Sequence, residues 1–306
     1  MAVRIHPTAV VDPSAELADG VLVGPHAVVG ARVTVGEGTE IGGGAHVLGP
    51  TALGRDNRVF PHACVGFDPQ DLKYRGEEVF LEVGDGNHFR EFSTVHRGTA
   101  GGGGVTRIGD GNLFMAYSHV GHDAAIGSRT VFVNGATLAG HVEVQDDATI
   151  GAFSAVHQFC RVGRHAYVGG YTVVTMDALP FAKTVGMKAS CYGLNAIGLK
   201  RKGVPGETVK RLRRALRYLV YSGLNTTQAV DRIQAELAGD PEVEFLVSFV
   251  TGARRGYVKA IPGRRGGRGG AREDAETAGD PSAGEGDGDE EAGEPVAASE
   301  RRERNA

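Results

Sequence analysis

The chain has 306 residues, 41% hydrophobic and 7% aromatic, with 48 glycines, no tryptophan and a formal charge of −4. No stretch approaches the roughly 18 apolar residues that a membrane helix needs, and the N-terminus MAVRIHPTAV has no signal-peptide core, so no integral-membrane association and a cytoplasmic location are expected. So mild a charge gives no basis for a nucleic-acid partner, while that much glycine implies a backbone that turns often and at regular places.

The turning is periodic. Every sixth position from Val11 is aliphatic, through Leu17, Val23, Val29, Val35, Ile41, Val47, Leu53, Val59 and Val65. The phase returns at Val83, Phe89 and Val95, then shifts by one and runs from Ile108 through Phe114, Val120, Ile126, Phe132, Leu138, Val144, Ile150, Val156, Val162 and Val168 to Val174, for 25 hexads. Six residues advance an α-helix by about 1.7 turns and would scatter these side chains around its axis. Three short strands closing a coil of 18 residues turn all of them inward, with the small residue two places earlier (Ala45, Ala136, Ser154) filling the space beside each. The glycines that often follow, such as Gly24, Gly36, Gly151 and Gly169, are expected to supply corners with positive φ. The fold class is therefore a β solenoid, a parallel β-helix of hexapeptide repeats over residues 1–180, with loops 68–82 and 98–106 extruded where the period breaks. The second loop holds Gly101 to Gly104 in a row, but a phosphate cradle there lacks the lysine and following helix that such a loop needs.

From Pro205 the apolar spacing becomes helical. Val209, Leu212, Leu216 and Leu219 share one stripe that Ser222-Gly223 ends; Ala229, Val230, Ile233 and Leu237 form a second; Asp240 and Pro241 open a third carrying Val243, Leu246, Phe249 and Val250. A connector and small α-helical domain are thus expected over 181–262. From residue 264 the chain has 12 acidic and 7 basic residues among glycine and alanine, which predicts a disordered tail over 263–306 and leaves about +1 on the rest. Cys64, Cys160 and Cys191 have no metal-binding spacing, and Cys160 falls in an inward slot two before Val162.

The 18-residue coil stacks histidines that are distant in sequence. It places His122 below Gly140 and Gln158, and Asp123 below His141, with His119 and His157 nearby. Acyl transfer to an alcohol needs these parts: an imidazole to take the hydroxyl proton, an acid to fix its tautomer, and a backbone N–H for the developing oxyanion. A zinc site drawing on His119, His122 and His141 is the competing reading.

At these residues the chain resembles the UDP-N-acetylglucosamine O-acyltransferase family, which begins lipid A synthesis. The likeness covers residues 1 to about 260. It is carried by Gln70-Asp71-Leu72-Lys73-Tyr74, His96-Arg97-Gly98-Thr99, His119-Val120-Gly121-His122-Asp123, Leu138-Ala139-Gly140-His141-Val142, Val156-His157-Gln158-Phe159 and Gly198-Leu199-Lys200-Arg201. The resemblance implies a left-handed helix, a homotrimer with active sites between subunits, and 3-hydroxyacyl transfer from acyl carrier protein to the sugar 3-hydroxyl. The carrier's phosphopantetheine thioester would be the donor, with no cofactor and no metal. It makes His122 the general base, Asp123 its partner and the Gly140 amide the oxyanion donor. It assigns Gln70, Asp71, Lys73, His96, His119, His141, His157, Gln158, Asn195 and Arg201 to the nucleotide sugar, and chain-length selection to Gly170, whose rise above His122 is roughly 13 Å at the strand spacing. Ile197 and Lys202 stand where the family pattern has glutamate and arginine. The basic run Lys200, Arg201, Lys202, Lys210, Arg211, Arg213, Arg214 and Arg217, faced only by Glu207, is either a docking surface for the acidic carrier or a solvated helix face. Two other readings stay open. One is a zinc hydratase or non-catalytic trimeric binder. The other is an amino-sugar N-acyltransferase, which is expected to add an N-terminal uridine-binding domain before a repeat that here starts at Val11.

Overall fold

The computed structural model describes residues 2–260; the tail expected at 263–306 lies outside the described residues. From Arg4 to Val174 short strands alternate with corners, and strands pair in parallel with those one coil on, Val10 beside Val28 and Val120 beside Leu138. Three sheets of 11, 9 and 8 strands result, visited in turn, so each coil traces a triangle. We call first, second and third the corners that follow the sheets containing Val131–Phe132, His119–Val120 and Ala125–Ile126 respectively.

Of the 25 inward positions all but Val11 and Leu17 are buried, and those two lie in the first coil with no coil beneath them. The slot two places earlier is closed by Ala45, Ala136 and Ser154 as expected, and in three coils by asparagines. Asn87 donates its backbone N–H and Nδ2 to Asn57 Oδ1 at 2.9 and 3.0 Å, and Asn112 does the same to Asn87 Oδ1 at 3.0 and 2.9 Å. This buried polar ladder satisfies its own amides, which lets polar side chains occupy core positions.

The corners correct the expectation about glycine. The left-handed residue is the third after most inward side chains and is mostly not glycine; at the second corner Asp123, His141 and Phe159 have φ of 58, 60 and 63°. The glycine directly after the inward residue serves close approach instead: a Cβ at Gly36 would lie 2.5 Å from Gly54 C, and one at Gly151 2.5 Å from Gly170 N. Gly169 is likewise no corner, since Tyr171 takes the positive φ there.

Both loops leave from the second corner, and both are shorter than 68–82 and 98–106. Phe80–Val83 and Val105–Ile108 pair residue for residue as strands of the third sheet, burying Leu81 and Thr106. Coils on either side recruit these residues as soon as the in-out alternation fits.

Past the last coil, Ala182–Val185 and Ser190–Leu194 add an unanticipated antiparallel pair to the first sheet. Four helices follow: α1 (Ala196–Arg201), α2 (Gly206–Val220), α3 (Thr226–Leu237) and α4 (Pro241–Thr251). Sequence periodicity missed α1, which is less than two turns long. The expected stripes of the other three bury Leu212, Leu216, Ile233, Leu246 and their neighbours in a second core distinct from that of the solenoid. Asp240 caps α4 as expected, accepting from Glu242 N–H at 3.0 Å. No helix among the described residues is long and apolar enough to cross a membrane.

Candidate active site

The second corner builds the site by stacking successive turns. His122 and Asp123 occupy one turn, and Gly140 and His141 the next, through the register that sets Val120 beside Leu138. Because Asp123 takes the left-handed conformation, its carboxylate comes back against its own neighbour. His122 Nδ1–H donates to Asp123 Oδ2 at 2.7 Å, which leaves Nε2 as the acceptor. The Asp123 side chain is only 1% exposed and that of His122 17%. The carboxylate is fixed further by Thr99, whose N–H reaches Oδ1 at 2.8 Å and whose hydroxyl reaches Oδ2 at 2.6 Å, while Thr106 Oγ1 accepts the Asp123 N–H at 2.8 Å.

Gly140 lies against the His122 ring: a Cβ there would be 2.5 Å from Cε1 and 2.7 Å from Nε2. Its buried N–H has no protein acceptor among the described residues. At the third corner the equivalent amides are closed by the next coil, Asp85 N–H by Asp110, Asp110 N–H by Ser128 and Ser128 N–H by Asp146, at 2.8, 3.0 and 2.9 Å. At Gly140 the donor is left free beside the imidazole. His141 meets His122 edge-on with ring centres 5.1 Å apart, stacks on Phe159 at 4.5 Å, and holds Nε2 3.7 Å from Asp123 Oδ2.

Two more histidines border this group. His119 points outward from the second sheet and shares a 2.8 Å hydrogen bond with Thr94 Oγ1; burial first, then His96 and His122, push its pKa down to about 4. His96 is buried, engages the Asp68 carbonyl through Nδ1 at 2.6 Å and leaves Nε2 without a protein partner, its pKa also lowered, mainly by burial. The first loop is tied down beside it by Arg97, which donates to the Gly49 and Gly66 carbonyls at 2.7 and 2.6 Å and pairs with Asp68. Beyond that anchor Gln70 and Lys73 are exposed, with the Lys73 N–H on Asp71 Oδ1 at 2.9 Å.

The structure thus gathers His96, His119, His122, Asp123, Gly140 and His141. Gln158 follows Gly140 one coil on, and His157 and Gln158 are exposed beside it, the His157 ring bonding only to the Gln158 carbonyl at 3.1 Å. Asn195, Arg201 and Gly170 are not part of the group. Asn195 caps α1 and donates to the His165 carbonyl at 3.1 Å, on the third corner, where Lys202 also meets Asp147 at 2.8 Å. Gly170 lies on the first corner.

The basic run is also corrected. Arg211 donates to the Leu237 and Ala238 carbonyls at 2.8 and 2.7 Å and faces Asp240, Arg214 pairs with Glu236, and Lys210 with Glu207. Glu236 of α3 and Asp240, the cap of α4, therefore oppose it as well as Glu207, and Lys200, Arg201, Arg213 and Arg217 remain exposed. Sequence reasoning missed Thr99, Thr106 and Arg97 as supports. Thr99 and Arg97 belong to the His96-Arg97-Gly98-Thr99 motif, but the loop insertion puts Thr99 24 residues from Asp123 and hides their alignment.

Among the described residues, His122, Asp123 and His141 could also hold a metal, their ligand atoms lying within 4.8 Å of one another. His119, the third zinc ligand considered from sequence, instead engages Thr94.

Residues 177–258 match the family described as UDP N-acetylglucosamine O-acyltransferase, domain 2, and residues 106–140 match the bacterial transferase hexapeptide family. The acyl-[acyl-carrier-protein]–UDP-N-acetylglucosamine O-acyltransferase of Anaeromyxobacter dehalogenans is 48% identical over 255 residues, 83% of this chain and 99% of that one. Its counterpart in Myxococcus xanthus is 47% identical over 256 residues, 84% and 99%. Among solved structures, LpxA of Acinetobacter baumannii superposes with a TM-score of 0.82 at 38% identity, over 83% of this chain and 99% of its own. The UDP-N-acetylglucosamine acyltransferase of Francisella novicida gives 0.81 at 36%, over 85% and 95%. The solenoid, with its hexapeptide repeats, is a left-handed parallel β-helix. The chain belongs to the UDP-N-acetylglucosamine O-acyltransferase family of enzymes.

Proposed function

We propose that this protein transfers a 3-hydroxyacyl group from the thioester of acyl carrier protein to the 3-hydroxyl of UDP-N-acetylglucosamine, by direct attack and without a cofactor. The observation that carries the mechanism is the His122–Asp123 hydrogen bond at 2.7 Å, which turns the basic Nε2 away from the carboxylate and toward the edge of Gly140. His122 Nε2 takes the sugar hydroxyl proton as its oxygen attacks the thioester carbonyl. The Gly140 N–H receives the oxyanion, the carbon–sulfur bond breaks, and the thiolate leaves with the proton returned by His122. Asp123 keeps the tautomer and stabilises the imidazolium. His119, held neutral by burial, acts as a hydrogen-bonding group. Gln70, Asp71, Lys73, His96, His141, His157 and Gln158 complete the sugar-nucleotide site.

Asn195 and Arg201 join that site from a neighbouring copy in a homotrimer, a reading supported by their place on a different corner of the same chain. The enzyme works in the cytoplasm. The zinc alternative is weakened by the engagement of His122 Nδ1 and both Asp123 oxygens with protein partners. The test incubates purified protein with 3-hydroxyacyl carrier protein and UDP-N-acetylglucosamine and reads the product by mass. O-acylated nucleotide sugar is expected, and His122→Ala should lower turnover by roughly 10²–10⁴-fold with the oligomer intact. Absence of product, or a His122→Ala enzyme within fivefold of wild type, refutes the mechanism.

A further inference from the structure

We infer that the glycine-rich second loop is a built-in cap over Asp123 and that Thr99, near its start, positions the catalytic base through that carboxylate. The inference rests on the His122 mechanism proposed above. After His96 the chain leaves the second corner, makes a single short turn at Ala100–Gly102, and returns to the third sheet at Val105. The detour ends where Asp123 begins. Gly102 lies so close that a Cβ on it would be 2.2 Å from both Cγ and Oδ2 of Asp123, and Thr99 delivers two donors, one to each carboxylate oxygen. Gly103 and Gly104 take φ of 102 and 80°, values that L side chains rarely adopt, which lets the loop fold back over so short a span.

These contacts explain why a carboxylate one residue from a partly open histidine is itself 1% exposed. Water would compete for Oδ2 and loosen the His122 ring; the cap removes water and replaces it with two fixed donors. Thr99 Oγ1 and His122 Nδ1 share Oδ2, at 2.6 and 2.7 Å, so the threonine hydroxyl fixes the oxygen that orients the base. Charge-assisted bonds of this kind are the strong ones. Within the run of glycines, Gly102 is thus a steric requirement of the Asp123 pocket and Gly103 and Gly104 a conformational one, which accounts for them without a ligand cradle. Thr99 touches no reacting atom in this scheme; it is a positioning residue.

The test is kinetic and compares Thr99→Val, Thr99→Ser and Gly102→Ala with wild type, each also made in an Asp123→Asn background. Thr99→Val is expected to lower kcat roughly 10- to 100-fold with both substrate KM values within twofold, Thr99→Ser to restore most of the loss, and Gly102→Ala to resemble Thr99→Val. Added to Asp123→Asn, neither Thr99→Val nor Gly102→Ala should cost anything more, because their effect passes through the carboxylate. A Thr99→Val enzyme within threefold of wild type overturns the inference, as does a loss that multiplies with that of Asp123→Asn or one that falls equally on KM. If Thr99→Val fails to fold, Gly102→Ala carries the same comparison. Should His122→Ala stay active, the base assignment fails; should it be inactive while Thr99→Val is not, only the cap fails.

Discussion

Replacing Gly140 by alanine tests the position of the base without removing any group proposed to do chemistry. The added Cβ would sit 2.5 Å from His122 Cε1, 2.7 Å from Nε2 and 3.0 Å from Nδ1, against 3.4 Å or more in ordinary contact. The ring must move by about 1 Å, which stretches or breaks the 2.7 Å bond from Nδ1 to Asp123. A hydrogen bond to a charged group is worth about 1.5–3 kcal/mol, and each 1.36 kcal/mol is tenfold in rate, so kcat should fall roughly 10- to 150-fold. The backbone N–H is retained, and Gly140 lies outside the left-handed region, so the fold should tolerate the change. Steady-state assays with carrier-bound donor would give kcat and both KM values, and thermal melting would verify the fold. Turnover within threefold of wild type, in a protein that melts normally, would show that the His122–Asp123 geometry is not what limits the rate.

Arg211→Ala should lower the melting temperature, because its guanidinium holds the carbonyls that end α3, whereas Arg213→Glu with Arg217→Glu should raise the donor KM and spare the sugar KM; equal effects on both would remove this face as a docking surface. Stability should fall as pH drops from about 6.5 toward 4: the unfolded chain protonates His119 near its ordinary value, the folded chain does not until about 4, and the unfolded state binds more protons in between. Urea midpoints at pH 7.5, 5.5 and 4.5 should show a shallower loss for His119→Asn; identical slopes would contradict this. Gly170→Met should shift preference toward shorter acyl donors without unfolding, since a Cβ there meets only Ala152 O at 3.3 Å and Ala152 N at 3.9 Å; an unchanged ranking of 10-, 12- and 14-carbon donors would deny Gly170 that role.

The period of six exposed the solenoid because the same inward slot recurs in every coil, and one residue type with one burial satisfies it. Coil arithmetic likewise aligned His122 with Gly140 and Asp123 with His141, since no insertion falls between them. It could not align Thr99 with Asp123, because the loop between them has no period, nor place Arg97, whose partners Gly49, Gly66 and Asp68 all precede or open the first loop while Arg97 follows it. Glycine misled for a related reason. Its recurrence after the inward residue marks the closeness of the coil above, whereas the left-handed corners tolerate Asp123, His141 and Phe159.

The rise of 2.7 coils from His122 to Gly170 was legible in the spacing, but the side of the triangle was not. A count along the axis treats the two residues as lying above one another, yet Val168 belongs to the first sheet and Val120 to the second, so they stand on adjacent corners. An acyl chain reaching from His122 toward Gly170 within one protomer would have to cross a whole face of the solenoid. Packed against a second copy, the first corner of one chain can face the second corner of the next, and the chain then runs between them. That first corner carries the exposed rings of Phe92, Tyr117, Phe153 and Tyr171, the last directly beside Gly170, and offers the apolar wall such a groove requires. The same packing would carry Asn195 and Arg201 toward a neighbour's histidines, and under that proposal chain-length selection and nucleotide binding would both depend on the homotrimer.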